Sequence, residues 1–132
     1  MTTRAPHVAT CTVLLFAADL TLKTLGLGRS VRFARRLAGP VRTGAAAPRR
    51  LVVDTARRVA IAAAFYPGRA QCLEQSLALF LLLRRRGIAA ELRIGVQPFP
   101  FTAHAWVEHD GRPVNEQEDF VTRLAPFPSI GG

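Results

Sequence analysis

At 132 residues the chain has the length of one domain, and with 49% hydrophobic and 20% charged residues it excludes a disordered or low-complexity polypeptide. Its formal charge of +9 comes almost entirely from arginine. The arginines stand in short clusters such as Arg35-Arg36, Arg57-Arg58 and Arg84-Arg85-Arg86, without interleaved aromatics, so they read as a solvated surface and no nucleic-acid partner is expected. Two cysteines, Cys11 and Cys72, exclude a disulfide framework, and no CxxC or CxxH spacing suggests zinc. The chain is therefore expected to be reduced and cytoplasmic, with no metal and no cofactor.

Residues 8–25 and 30–38 read as two helices, separated where Gly26 and Gly28 interrupt the recurrence of Leu14, Leu15, Leu22 and Leu25. The apolar stretch from Val8 to Leu22 raises the question of a signal or anchor. Asp19 and Lys23 near its far end leave too few uninterrupted apolar residues for a bilayer span, so a packed amphipathic helix is expected. Gly39-Pro40 stops the second helix, and residues 41–50, rich in Gly, Ala, Pro and Arg, read as a linker. Residues 51–65 form the next helix, with Val52, Ala56, Val59 and Ala63 on one broad face, and Tyr66-Pro67-Gly68 ends it.

Residues 70–86 carry the strongest helical pattern: Leu73, Leu77, Phe80, Leu81 and Leu83 are its apolar positions. Three arginines fill the last turn and Gly87 serves as the C-terminal cap. The period then changes to two, with Leu92, Ile94 and Val96 alternating with Glu91, Arg93 and Gly95 in a half-buried strand. Residues 102–109 form a second strand, Asp110-Gly111 a hairpin turn, and Arg112 begins a third. From Leu124 onward the tail reads as loose. Helices followed by a small antiparallel sheet give an α+β layout.

The chemistry concentrates on Cys72 and His104. Unpaired N–H groups in the first turn of a helix lower the pKa of a thiol there, and they can also hold a developing oxyanion. Cys72 has that position, with its own backbone N–H and the Gln71 side-chain amide as oxyanion donors. The plainer reading of Cys72 is a small buried residue on an apolar helix. His104 lies among Ala103, Ala105 and Trp106, either as a general base or as a structural histidine with a backbone partner. Strand alternation puts Thr102, His104, Trp106 and Glu108 on one face and Ala103, Ala105 and Val107 on the other. Ser76, one turn after Cys72, either bonds a backbone carbonyl or lines the cleft, and Trp106 is core or cleft wall. Cys11 reads as buried and inert, and His7 and His109 have no assigned role.

Several segments together resemble one family: Cys72-Leu73-Glu74-Gln75-Ser76-Leu77-Ala78-Leu79, Leu82 to Gly87, Ile94-Gly95-Val96, and the stretch Pro100 to Glu108 with its Ala-His-Ala-Trp-Val-Glu sequence. The family is the lasso-peptide biosynthesis B proteins, in the C-terminal leader-peptidase half, which is a transglutaminase-like cysteine protease. The resemblance runs from about residue 51 to 119 and, more loosely, relates residues 1–40 to the helical N-terminal region of the stand-alone form. It implies a helical N-terminal region (1–40), a linker (41–50), a transglutaminase- or papain-like core (51–123) and a loose tail (124–132). It implies an endopeptidase that removes the leader from a ribosomally made precursor through a Cys-His-acid triad and an acyl-enzyme, as a step of antibiotic biosynthesis. Cys72 matches the nucleophile, His104 the base and Glu116 the acid, although Glu116 stands where the family usually has aspartate.

The implied partners are the leader-core precursor, a separate leader-recognition protein and the lasso cyclase. Hairpin register bears on the third member: a two-residue turn pairs Trp106 with Asn115 and gives a Cys-His-Asn set, whereas a bulged three-residue loop pairs it with Glu116. Two other activities fit the same residues less fully. One is transfer of the acyl group to an amine, as in a transglutaminase; the other is a non-catalytic basic binding module.

Overall fold

A computed structural model describes residues 6–38, 49–65, 72–98, 101–115 and 125–126. Among these residues three helices, α1 (Val8–Leu37), α2 (Arg49–Ala64) and α3 (Cys72–Arg85), precede four strands, β1 (Ala90–Pro98), β2 (Phe101–His109), β3 (Arg112–Pro113) and β4 (Ala125–Pro126). The strands form one antiparallel sheet in the order β3-β2-β1-β4. The architecture is α+β, with the helices gathered on one face of the sheet.

The core shows why these sequences take these elements. Leu15 and Val31 of α1, Val52 and Val59 of α2, Leu79, Phe80 and Leu83 of α3, and Leu92 and Val107 of the sheet belong to one buried cluster. Their spacing supplies one apolar face per element, and burying those faces together is what stabilises short helices in water. Gly26 breaks α1 with φ 80° and ψ 177°. Helical conformation resumes directly after Gly26, so the second helical piece begins earlier than its expected start at residue 30, and Gly28 is not a second break.

The segment Val8–Gly26 is 19 residues long and apolar enough, by length and composition, to cross a membrane, which differs from the residue-by-residue expectation. Its Cys11, Leu15 and Ala18 are nevertheless packed in the common core.

The C-terminal cap of α3 follows its expected chemistry. Gly87 has φ 80°, its N–H donates to Arg84 O at 2.9 Å, and Ile88 N–H donates to Leu83 O at 3.0 Å. That pair of bonds is the Schellman arrangement, and the left-handed conformation at its centre favours glycine. The reversal sends the chain directly into β1.

Two boundaries differ from expectation. Helix α2 begins at Arg49, within the expected linker, and the Arg49 side chain reaches across to the hairpin: Nη1 donates to His109 O at 3.2 Å and Nη2 to Pro113 O at 3.1 Å. The tail is not loose throughout, since Ala125 and Pro126 pair with Val96 and Gly95 on the outer edge of β1. A two-residue pairing has no periodicity of its own, so only the exposed edge that it covers explains it.

Candidate active site

Cys72 is the first residue of α3 and is half-buried. The N–H groups of this first turn have no partner four residues back within the helix. His104 is half-buried on β2, opposite Gly95 of β1.

Hydrogen bonds at both ends of α3 align the helix with the strands. Ser76 Oγ donates to Ala105 O at 3.0 Å, and Arg84 Nη1 donates to Ala90 O at 3.4 Å, where Ala90 is paired with His109. From Ser76 to Arg84 the helix rises roughly 12 Å at about 1.5 Å per residue. From Ala105 to His109 the strand extends roughly 14 Å at about 3.4 Å per residue. Cys72 lies four residues, about 6 Å along the axis, before Ser76, so the Ser76–Ala105 bond ties α3, one turn after Cys72, to the residue that follows His104.

The faces of β2 divide as alternation requires. Val107 lies in the helix-covered core, and Ala105 is buried, its carbonyl taking the Ser76 bond. Trp106 and Glu108 share the other face, where Trp106 Nε1 donates to Glu108 Oε2 at 3.0 Å. His104, two residues before Trp106, leaves the strand on that second face. Trp106 is only 6% exposed, while Glu108 also pairs with Arg93 at 3.5 Å. Both Trp106 and Glu108 therefore have structural partners of their own.

The hairpin has a two-residue turn. His109 pairs with Arg112 and Glu108 with Pro113, and Asp110 and Gly111 have φ of 55° and 73°. Positive φ at both central residues is the signature of a type I′ turn, which suits Asp-Gly. The next step of the ladder is half backbone and half side chain. Val114 N–H donates to Val107 O at 2.8 Å, but Val107 N–H donates to Asn115 Oδ1, also at 2.8 Å. Asn115 Nδ2 in turn donates to Ser76 Oγ at 3.0 Å.

Ser76 is fully buried, so it has no surface with which to line a substrate cleft. It instead bonds a backbone carbonyl on the neighbouring strand, and its acceptor role toward Asn115 had no signal in the sequence. Gln71 and Glu116 lie outside the described residues. His109, given no role from sequence, is buried, with Nδ1 3.7 Å from Asp110 Oδ2. Among the described residues, no three His, Cys, Asp or Glu side chains group as metal ligands do.

Comparison with known proteins adds to this geometry. A family model described as the transglutaminase-like superfamily matches residues 13–129. The microcin J25-processing protein McjB of Escherichia coli is 37% identical over 62 residues, a stretch that covers 47% of this chain and 30% of that protein. No solved structure matches.

Proposed function

The chain belongs to the transglutaminase-like superfamily, and from that premise we propose that it is a cysteine endopeptidase that removes the leader from a lasso-peptide precursor. The observation that carries this reading is the Ser76–Ala105 bond, which joins α3 one turn after Cys72 to the residue next to His104, and similarity to a protein named for processing microcin J25 supports it.

In this mechanism His104 takes the proton from Cys72, and the thiolate attacks the scissile carbonyl. The thiol meets the imidazole around the N-terminal half of β2. There, among the described residues, the only strand paired with β2 is β1. First-turn N–H groups of α3, with the Gln71 amide, hold the oxyanion. The imidazolium then protonates the leaving amine, and water releases the acyl-enzyme. Glu116 orients the imidazole. The two-residue turn is the register expected to favour Asn115; Glu116 is assigned this task nonetheless, because the Asn115 amide is bonded to Val107 and Ser76.

The partners in this reading are the leader-core precursor, a separate leader-recognition protein and the lasso cyclase. The reaction takes place in the cytoplasm, where free thiols such as Cys11 and Cys72 persist.

The test is to incubate the protein and its leader-recognition protein with the precursor, with and without a primary amine, and to weigh the products. Free leader acid is expected, and it should vanish with Cys72→Ala or His104→Ala while far-UV circular dichroism stays unchanged. Retained cleavage in either variant overturns the proposal. A leader-amine adduct as the main product would point to acyl transfer.

A further inference from the structure

We infer that Ser76 and Asn115 form a positioning clamp for the reaction proposed above. They lock the nucleophile helix, the base strand and the segment before the acid in one register. The inference rests on that reading for the roles of Cys72, His104 and Glu116, whereas the clamp itself is a matter of geometry.

Three bonds make a continuous path. Ser76 Oγ donates to Ala105 O at 3.0 Å, Asn115 Nδ2 donates to Ser76 Oγ at 3.0 Å, and Val107 N–H donates to Asn115 Oδ1 at 2.8 Å. A serine hydroxyl has one donor and two acceptor sites, so Ser76 can give its proton to one element while accepting from another. The hydroxyl is fully buried, where competition from water is weakest and an unmade bond costs most. A position that only filled space on α3 would need no oxygen, and an alanine would serve.

Each clamped residue adjoins a functional one. Ser76 is one helical turn from Cys72, Ala105 follows His104, and Asn115 precedes Glu116. Asn115 has a second task. In a continuing ladder, the backbone carbonyl of Val114 would accept the Val107 N–H, because Val114 N–H already donates to Val107 O. The Asn115 side chain accepts it instead. The ladder N–H stays satisfied while the backbone is released from the sheet immediately before Glu116. An aspartate at position 115 could accept from Val107 but, when ionised, could not donate to Ser76. An alanine could do neither. The Asn115 amide thus acts through the scaffold, which sets it apart from the imidazole-orienting asparagine of a Cys-His-Asn set.

Errors of about 1 Å in reacting groups cost on the order of 100-fold in rate, so loss of the clamp should appear in turnover before substrate binding. In Ser76→Ala, kcat for leader removal should fall about 10- to 100-fold with KM within about 3-fold. The pH profile of Cys72 alkylation by iodoacetamide, followed by peptide mass mapping, should move from that of the parent. Asn115→Asp, at a half-buried position, should show the same pattern with less risk to folding. Because both residues act through one bond path, Ser76→Ala combined with Asn115→Asp should be about as slow as the worse single variant.

Folded Ser76→Ala and Asn115→Asp proteins with parental kcat and alkylation profile would overturn the clamp, as would fully multiplicative losses in the double variant. The alkylation readout needs no peptidase activity. Cleavage surviving in Cys72→Ala would sink the proposed reaction, while the alkylation profiles would still decide the clamp.

Discussion

Two cysteines in one chain have opposite surroundings. Cys11 has no exposed surface, and burial pushes its thiol pKa up while the Arg58 charge pulls in the opposite direction. Cys72 is half-buried at a helix start. Iodoacetamide at neutral pH should therefore label Cys72 in the native protein and reach Cys11 only after unfolding, as peptide mapping would show. Preferential labelling of Cys11 would contradict the packing of α1.

The raised pKa also has a stability consequence whose sign is fixed. The folded state disfavours the Cys11 thiolate, so the unfolded chain loses this proton first as pH rises. The contribution is fully present below the ordinary thiol pKa of about 8.5 and is lost as pH rises through the folded value. Urea unfolding at pH 7 and pH 10 should show a steeper loss in the parent than in Cys11→Ala. Equal losses would mean that the thiol ionises as readily inside the fold as outside it.

At the scale of elements, the arginine excess has a structural use that composition could not disclose. Arg35 donates to Leu92 O at 3.5 Å, Arg85 to Leu37 O at 3.3 Å, and Arg84 to Ala90 O at 3.4 Å while lying over the Phe80 ring. Arg49 makes the firmest of these ties, joining α2 to both strands of the hairpin. Arg49→Ala should lower stability by about 1–3 kcal/mol by leaving two carbonyls without that donor. Arg49→Lys should recover only part, because an ammonium lacks the fork that spans both. A loss below about 0.5 kcal/mol in urea titration would show that water replaces the guanidinium without penalty.

The same scale shows what was legible in the sequence. Helix α3 and its glycine cap could be read because their apolar positions, arginines and Gly87 act over one or two turns. The Asp110-Gly111 turn could be read for the same reason. Register beyond that turn could not, because it depends on Asn115 exchanging its side chain for a backbone carbonyl. Ser76 was ambiguous because its two partners lie 29 and 39 residues away. Cys72 and His104 stood out through their flanking motifs. What joins their elements is a set of long-range polar contacts without a local pattern.

For the whole molecule, α1 carries both core residues and an exposed apolar face. Its first segment is long and apolar enough to cross a bilayer, and Val13, Phe16 and Leu20 form an exposed, uncharged stripe on it. Yet Leu15, adjacent to Phe16, is fully buried against the other helices. Neighbouring residues on one helix thus separate the two roles of the segment. Because Leu15 is part of the core, Leu15→Ala opens a cavity and should cost about 2–5 kcal/mol. Phe16→Ala, at 60% exposure, should change stability by no more than about 0.5 kcal/mol.

Unfolding in urea, followed by far-UV circular dichroism, measures both. The contrast matters more than either value, because both substitutions put alanine in the same turn and helix propensity differs little between them. Small effects at both sites would detach α1 from the fold. A large effect at Phe16 would mean that its exposed face is covered in solution.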